Sequence, residues 1–190
     1  MQMKDVFSVI DFSAPSNEVA PQLIGCEFLV NGVGGIIVEV EAYDQSEPAS
    51  HTFSGPSVRN ASMFGAPGCA YVYRSYGIHW CLNFVCSPEG HGAGVLIRAI
   101  QPTKGLEIMR ARRGVESEKL LCSGPGRVGQ ALEIVHAFNG RSLAQKPFQL
   151  LPALAPVNVV SGPRIGISKA MDLPWRFGLA GSPFLSKPFR

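Results

Sequence analysis

Ten consecutive residues, Gly35-Ile-Ile-Val-Glu-Val-Glu-Ala-Tyr-Asp44, limit what the rest of the chain can be. Side chains alternate across a strand, so Ile36, Val38, Val40 and Ala42 are expected on one face and Ile37, Glu39, Glu41 and Tyr43 on the other. The first face is an ordinary half-buried set. The second places two carboxylates about 6.6 Å apart, at about 3.3 Å per residue, with a tyrosine beside the second. A solvated outer face explains two glutamates taken alone. The polar and aromatic residues that follow, beginning with His51, point instead to a site.

The rest of the chain supports a fold built from strands and irregular connections. It has 190 residues, enough for one domain over 1–190 that buries most of its apolar surface. With 21 Gly and 15 Pro, it has material for many turns and little for long helices. No run of eighteen apolar residues is present, so no transmembrane helix is expected and no membrane partner. Met1-Gln-Met-Lys-Asp-Val-Phe7 lacks the apolar core and cleavage site of a secretory signal.

Cys26, Cys69, Cys81, Cys86 and Cys122 are odd in number and lack CxxC spacing. Reduced thiols are therefore expected, as in a cytoplasmic protein, or a nuclear one if the source is eukaryotic. Cys81 and Cys86, with His79 and His91 nearby, are weighed as a metal site, but their stretch reads as a strand with cysteine as a small core hydrophobe. No metal and no cofactor are expected. A net charge of +3 permits a polyanionic partner without requiring one.

In chain order, Ser16 to Gly25 reads as a short helix capped by Ser16 or Asn17, with Val19, Leu23 and Ile24 inward. Glu27 to Val30, the Asn31-Gly32 pair and the strand ending at Tyr43 give a hairpin signal. Asp44 to Gly68 is a long irregular connection that Met63 and Phe64 would anchor, and ordered loops of that length are usually functional. Tyr71 and Tyr73 share a strand face, Tyr76-Gly77 marks a tight turn, and Trp80, Leu82 and Phe84 form a core face opposite His79, Cys81 and Asn83. Gly92 to Ile100 reads as a central strand whose one charge, Arg98, needs a partner such as Glu41.

Beyond it, Thr103 is expected to cap a basic helix that ends at Gly114. A Gly-rich turn at Ser123-Gly-Pro-Gly126 feeds another helix, where free N–H groups and Arg127 would suit a phosphate. It fits neither GxxxxGK[ST] nor GxGxxG. Asn139 to Ser161 reads as loop, and Arg164 to Ile167 and Pro174 to Phe177 as short strands.

Taken together, Val38-Glu-Val-Glu-Ala-Tyr43, His51, Arg59-Asn60, Tyr71-Val-Tyr73, Tyr76-Gly77, Asn83, Leu96-Ile-Arg98, Leu121-Cys-Ser-Gly-Pro125 and Arg164-Ile-Gly166 resemble the alkyladenine (3-methyladenine) DNA glycosylases of the alkylpurine type. The motifs run in that family's order from about Gly25 to Ser186. The resemblance implies an α+β fold: one domain with a curved antiparallel sheet flanked by helices and no helix-hairpin-helix. It also implies an enzyme that cuts the N-glycosidic bond of damaged purines in double-stranded DNA, acting as a monomer without a cofactor. By position, Glu41 resembles the general base, with Arg98 and the backbone carbonyl of Ile165 helping to hold the attacking water. Tyr43, His51 and Tyr73 resemble the pocket for the extruded base, Asn83 the discriminator against guanine, and Tyr76 the wedge left in the duplex. Arg59, Arg127 and Arg164 are expected at the DNA backbone. The chain departs from the pattern at Ile78-His79, at Ala61-Ser62 and in a slightly shorter loop before His51.

Two other readings compete. Glu39 and Glu41 at about 6.6 Å would suit an inverting sugar glycosidase. Alternatively, the tyrosines would serve a non-catalytic nucleic-acid binder as a stacking surface.

Overall fold

The Asn31-Gly32 pair turns the chain through two left-handed residues, with φ of 50° and 80°. That geometry joins β1 (Glu27–Val30) to β2 (Val33–Asp44) in the expected hairpin. The computed structural model describes residues 5–189; the start of the segment expected to lack a secretory signal, residues 1–4, lies outside the described residues.

β2 is twelve residues long and organises the sheet. Its first part pairs with β1, its second with β8 (Arg176–Leu179), and β5 (Ala93–Lys104) runs along its other edge. Beyond β5 lie β4 (His79–Val85) and β3 (Ala70–Ser75); β6 (Phe148–Leu151) pairs with β1 and β7 (Val159–Gly162) with β8. All pairings are antiparallel, and the helices are short: α1 (Ser16–Leu23), α2 (Leu106–Arg113), α3 (Glu118–Leu121) and α4 (Pro125–Ala131). The protein is thus a single α+β domain built on one curled antiparallel sheet.

The middle of β2 departs from simple alternation. Ile37 pairs with Ile100, Glu39 with Ala99 and Val40 with Ile97, so Val38 and Arg98 are each skipped in the register. This paired irregularity places Ile37 in the main core with Val40, Ala42, Ile97 and Ile100, not on the face of Glu39 and Glu41 as strict alternation requires. It also releases Arg98 from the ladder on the side of the two glutamates.

Other expectations shift for local reasons. Pro15, not Ser16 or Asn17, caps α1; the Ser16 hydroxyl instead donates to the Tyr43 carbonyl at 2.9 Å and ties the helix to the end of β2. β5 runs on through Pro102 to Lys104, and Gly105, not Thr103, precedes α2. Pro102 is tolerated because it lies opposite Gly35 at a register shift. Within the stretch read as loop, Phe148–Leu151 and Val159–Gly162 are strands. Arg164 to Ile167 is a bend, not a strand, with Gly166 at φ 74°. The α2 arginines staple helices together: Arg112 donates to the Ala131 carbonyl and Arg113 to the Leu121 carbonyl.

Close backbone contact fixes α4 on the sheet. A Cβ at Gly129 would stand 1.9 Å from the Trp80 carbonyl oxygen, so glycine is required there. All five cysteines are free; burial raises the thiols of Cys26, Cys81 and Cys86 above their usual range and that of Cys122 to about 12.

Candidate active site

Glu39 and Glu41 point to the same side of β2 and are fully buried, yet their surroundings differ. Around Glu39, Oε1 accepts from Arg98 Nε at 3.2 Å, Arg176 Nε at 2.8 Å and the Ser186 hydroxyl at 2.7 Å, while Oε2 accepts from the Ser186 amide at 2.5 Å. Three donors crowd Oε1 and one reaches Oε2, and of the residues that supply them only Arg98 lines the cavity described below. Glu41 accepts from the Ile165 amide at 2.7 Å through Oε1, and from the Tyr43 hydroxyl at 2.8 Å and Arg98 Nη1 at 3.4 Å through Oε2. A carboxylate oxygen offers about two acceptor positions, so Oε1 of Glu41 has one left over. Arg98 therefore bridges both carboxylates, and Glu39 holds it in place.

Sequence reasoning missed Arg176 and Ser186, which lie 137 and 147 positions from Glu39. Nothing local in the sequence joins them to it. The Ile165 contact made in the structure is an amide donating to Glu41.

Next to Glu41 is an aromatic wall. Tyr71 and Tyr73 stack with centroids 5.5 Å apart and an interplanar angle of 21°, and the His51 ring meets Tyr73 edge-on at 4.6 Å and 87°. Burial pushes the Tyr71 phenol up to about 12. Burial, and then the neighbouring Glu41 charge, raise Tyr43 further, so its hydroxyl remains a donor to Glu41 at neutral pH. Burial, and then Cys81, likewise raise Tyr73. Burial, and then the Arg59 guanidinium, hold His51 below the ordinary imidazole range.

The loop carrying His51 is clamped by Asn60, whose side-chain amide donates to the carbonyls of His51 at 2.9 Å and Gly55 at 3.1 Å. Met63 buries beside Tyr71 as the anchor expected of this loop. Asn83 is buried and donates to the Tyr71 carbonyl at 3.3 Å.

These groups line a cavity of about 1130 Å³, whose walls include Tyr43, His51, Tyr73, Asn83, Arg98 and Ile165. The space continues around edge strand β3, since Tyr71 and Tyr73 alternate with Val72 and Arg74, which also line it. At its mouth the β3–β4 turn presents Tyr76, 92% exposed with φ 49°, and Ile78, 67% exposed. A separate groove of about 390 Å³ near Phe7 to Ser13 holds none of these groups. Among the described residues no cluster of His, Cys, Asp or Glu is placed to hold a metal.

The three arginines expected at the DNA backbone are placed differently. Arg59 is exposed on the cavity wall, and Arg127 is exposed at the start of α4, donating to the Ser123 hydroxyl at 2.8 Å. Arg164 is instead buried, its side chain wholly covered and paired with Glu47 at 2.6 and 3.0 Å, so it presents nothing to a phosphate.

With the geometry in place, a family profile described as methylpurine-DNA glycosylase (MPG) matches residues 10–183. The chain belongs to that family. It is accordingly a DNA glycosylase. A Nitrosospira multiformis protein is 70% identical over 181 residues, covering 95% of this chain and 94% of its own. One from Rhodopseudomonas palustris strain BisB18 is 61% identical, covering 94% and 89%, and one from Rhizobium meliloti is 56% identical, covering 98% and 100%. All three are provisionally named 3-methyladenine DNA glycosylase. No helix of the described residues is long and apolar enough to cross a membrane.

Proposed function

We propose that this glycosylase hydrolyses the N-glycosidic bond of alkylated or deaminated purines, of the 3-methyladenine, 7-methylguanine and hypoxanthine type, turned out of double-stranded DNA. The observation that carries this reading is that Tyr43, Arg98 and Ile165, the three residues that hold Glu41, all line the aromatic cavity, whereas of the partners of Glu39 only Arg98 does.

A base in a duplex is out of reach, so the nucleotide is rotated out and read in a pocket. Tyr43, Tyr73 and His51 supply the flat walls, and Tyr76 at the exposed turn tip enters the gap left behind. Alkylation at N3 or N7 makes the purine cationic, so it leaves readily and stacks favourably on electron-rich rings. A neutral His51, kept so by burial and Arg59, adds no opposing charge. In this reading Asn83, on the cavity wall, meets the edge of the base and excludes guanine.

Glu41 takes a proton from water held at its free acceptor position with help from Arg98 and the Ile165 carbonyl, and its charge offsets the positive charge developing on the sugar. Water displaces the base directly, with inversion and without a covalent intermediate. Among the described residues no lysine lines the cavity to form a Schiff base, and the proposed reaction has no strand-cleaving step. Arg59 and Arg127 contribute sequence-independent phosphate contacts. The enzyme acts as a monomer, with its thiols reduced, in the compartment that holds the chromosome.

The sugar-glycosidase reading needs a second carboxylate free to act, and Glu39 is held between Arg98, Arg176 and Ser186, of which only Arg98 lines the cavity. Chromatography of bases released from methylated duplex DNA tests the proposal: free methylpurines are expected from an intact backbone. Release of no base, or cleavage of a simple aryl glycoside instead, would overturn it.

A further inference from the structure

The buried Arg164 does more than brace the fold. Its Cζ lies 4.6 Å from the centroid of the Tyr43 ring and 5.6 Å from that of Trp175. Nη1 donates to the Ala42 carbonyl at 3.0 Å, and Nη1 and Nη2 grip the two Glu47 oxygens at 2.6 and 3.0 Å. Tyr43 lines the cavity whereas Arg164 does not, so the guanidinium backs the ring from the interior. Its Nε has no partner. A buried ion pair with a donor unmet is a poor route to stability, because desolvation offsets the attraction. Its position behind the base pocket supplies another use.

We propose that Glu47 and Arg164 set the preference of the pocket for cationic over neutral bases, with Glu47 cancelling a positive charge that would otherwise act through Tyr43. This rests on the reading of Tyr43 as a wall of the base pocket. A cation against one face of an aromatic ring draws on the same electron density that attracts a cation to the other. A base stacked on the free face of Tyr43 would stand about 8 Å from the Arg164 charge, close enough for a low-dielectric site to feel it. The bidentate carboxylate of Glu47 removes most of that field. Glu47 and Arg164 touch no substrate in this scheme; they tune a residue that does.

The test uses the Glu41→Gln protein, so that nothing is turned over, and compares its Kd for duplexes carrying one 7-methylguanine (cationic) or one hypoxanthine (neutral). Adding Glu47→Gln should weaken 7-methylguanine binding about tenfold relative to hypoxanthine, the order of a Coulomb repulsion at that separation. Adding Arg164→Met as well should restore the original ratio, because both charges are then gone. A structural role alone would weaken both duplexes together and leave the ratio unmoved, which would overturn the proposal. If the Glu47→Gln protein does not fold, Arg164→Met alone decides: the uncancelled Glu47 charge should shift the ratio about tenfold toward 7-methylguanine, and an unmoved ratio would overturn the proposal. Equal binding of damaged and undamaged duplexes by the Glu41→Gln protein would instead count against the pocket reading itself.

Discussion

Glu39 and Glu41 stand two residues apart on β2, both fully buried and both in contact with Arg98, yet the other partners of Glu41, Tyr43 and Ile165, line the cavity while those of Glu39, Arg176 and Ser186, do not. The division of labour follows from that difference. Glu39 fixes Arg98 and draws the segment around Ser186 against the back of the site. Glu41 is tied to three residues of the cavity wall.

Replacing Glu39 should therefore damage the fold before it touches the chemistry. Glu39→Ala leaves Arg98 and Arg176 buried without their shared partner, a loss of about 3–5 kcal/mol for breaking a buried ion pair. Urea unfolding should show this as a lowered midpoint with an unchanged slope.

His51 gives a pH signature. Burial, the larger cause, and the Arg59 charge both lower its pKa, so the imidazole is neutral at pH 7 and takes up a proton only below its ordinary range near 6.5. Between the folded and unfolded values the unfolded chain binds more protons, so this group makes stability fall as pH drops through that window. Protonation would also set a positive charge against a cationic base. NMR titration should find the depressed pKa, and Arg59→Ala should move it up only part of the way. Lesion affinity should fall as pH drops below the ordinary imidazole range, by the same reasoning. A His51 pKa at or above 6.5 would contradict this.

Tyr76 should act on flipping and not on general affinity. The left-handed backbone at φ 49° suits neither Tyr nor Ala better, so Tyr76→Ala isolates the ring. Fluorescence from a reporter base beside the lesion should lose most of its flipping signal, while binding to undamaged duplex changes less than about threefold, as for an uncharged residue without phosphate contacts. An unchanged flipping signal would remove Tyr76 from the wedge role.

Gly129 is a stability test remote from the pocket. A methyl group would meet the Trp80 carbonyl at 1.9 Å, so Gly129→Ala must push α4 off β4, at about 1–3 kcal/mol or more for overpacking. Thermal melting should report the loss directly.

Much of the site was legible in the sequence because its residues lie on a few short strands. Alternation put Glu39, Glu41 and Tyr43 together and paired Tyr71 with Tyr73, and the need of Arg98 for a counter-ion pointed to Glu41. The structure answers that need with two carboxylates. What stayed hidden depends on contacts between distant segments. The irregularity at Val38 and Arg98, which sends Ile37 into the core, is a property of the paired strands and has no signature in either one. Arg164 follows a proline and looks free to meet DNA; only the fold brings Glu47 to it across 117 positions. The strand expected at Arg164 to Ile167 fails because Gly166 takes a left-handed φ, and the resulting bend aims the Ile165 amide at Glu41.

The most direct measurement is single-turnover release of 7-methylguanine from a defined duplex by the Glu41→Gln protein, with binding to the same duplex followed in parallel. Gln keeps the size of the side chain but cannot take a proton from water. Release should fall by about a hundred- to ten-thousand-fold, as for loss of a general base, with binding retained. Release at the unmodified rate would contradict the central role assigned to this carboxylate.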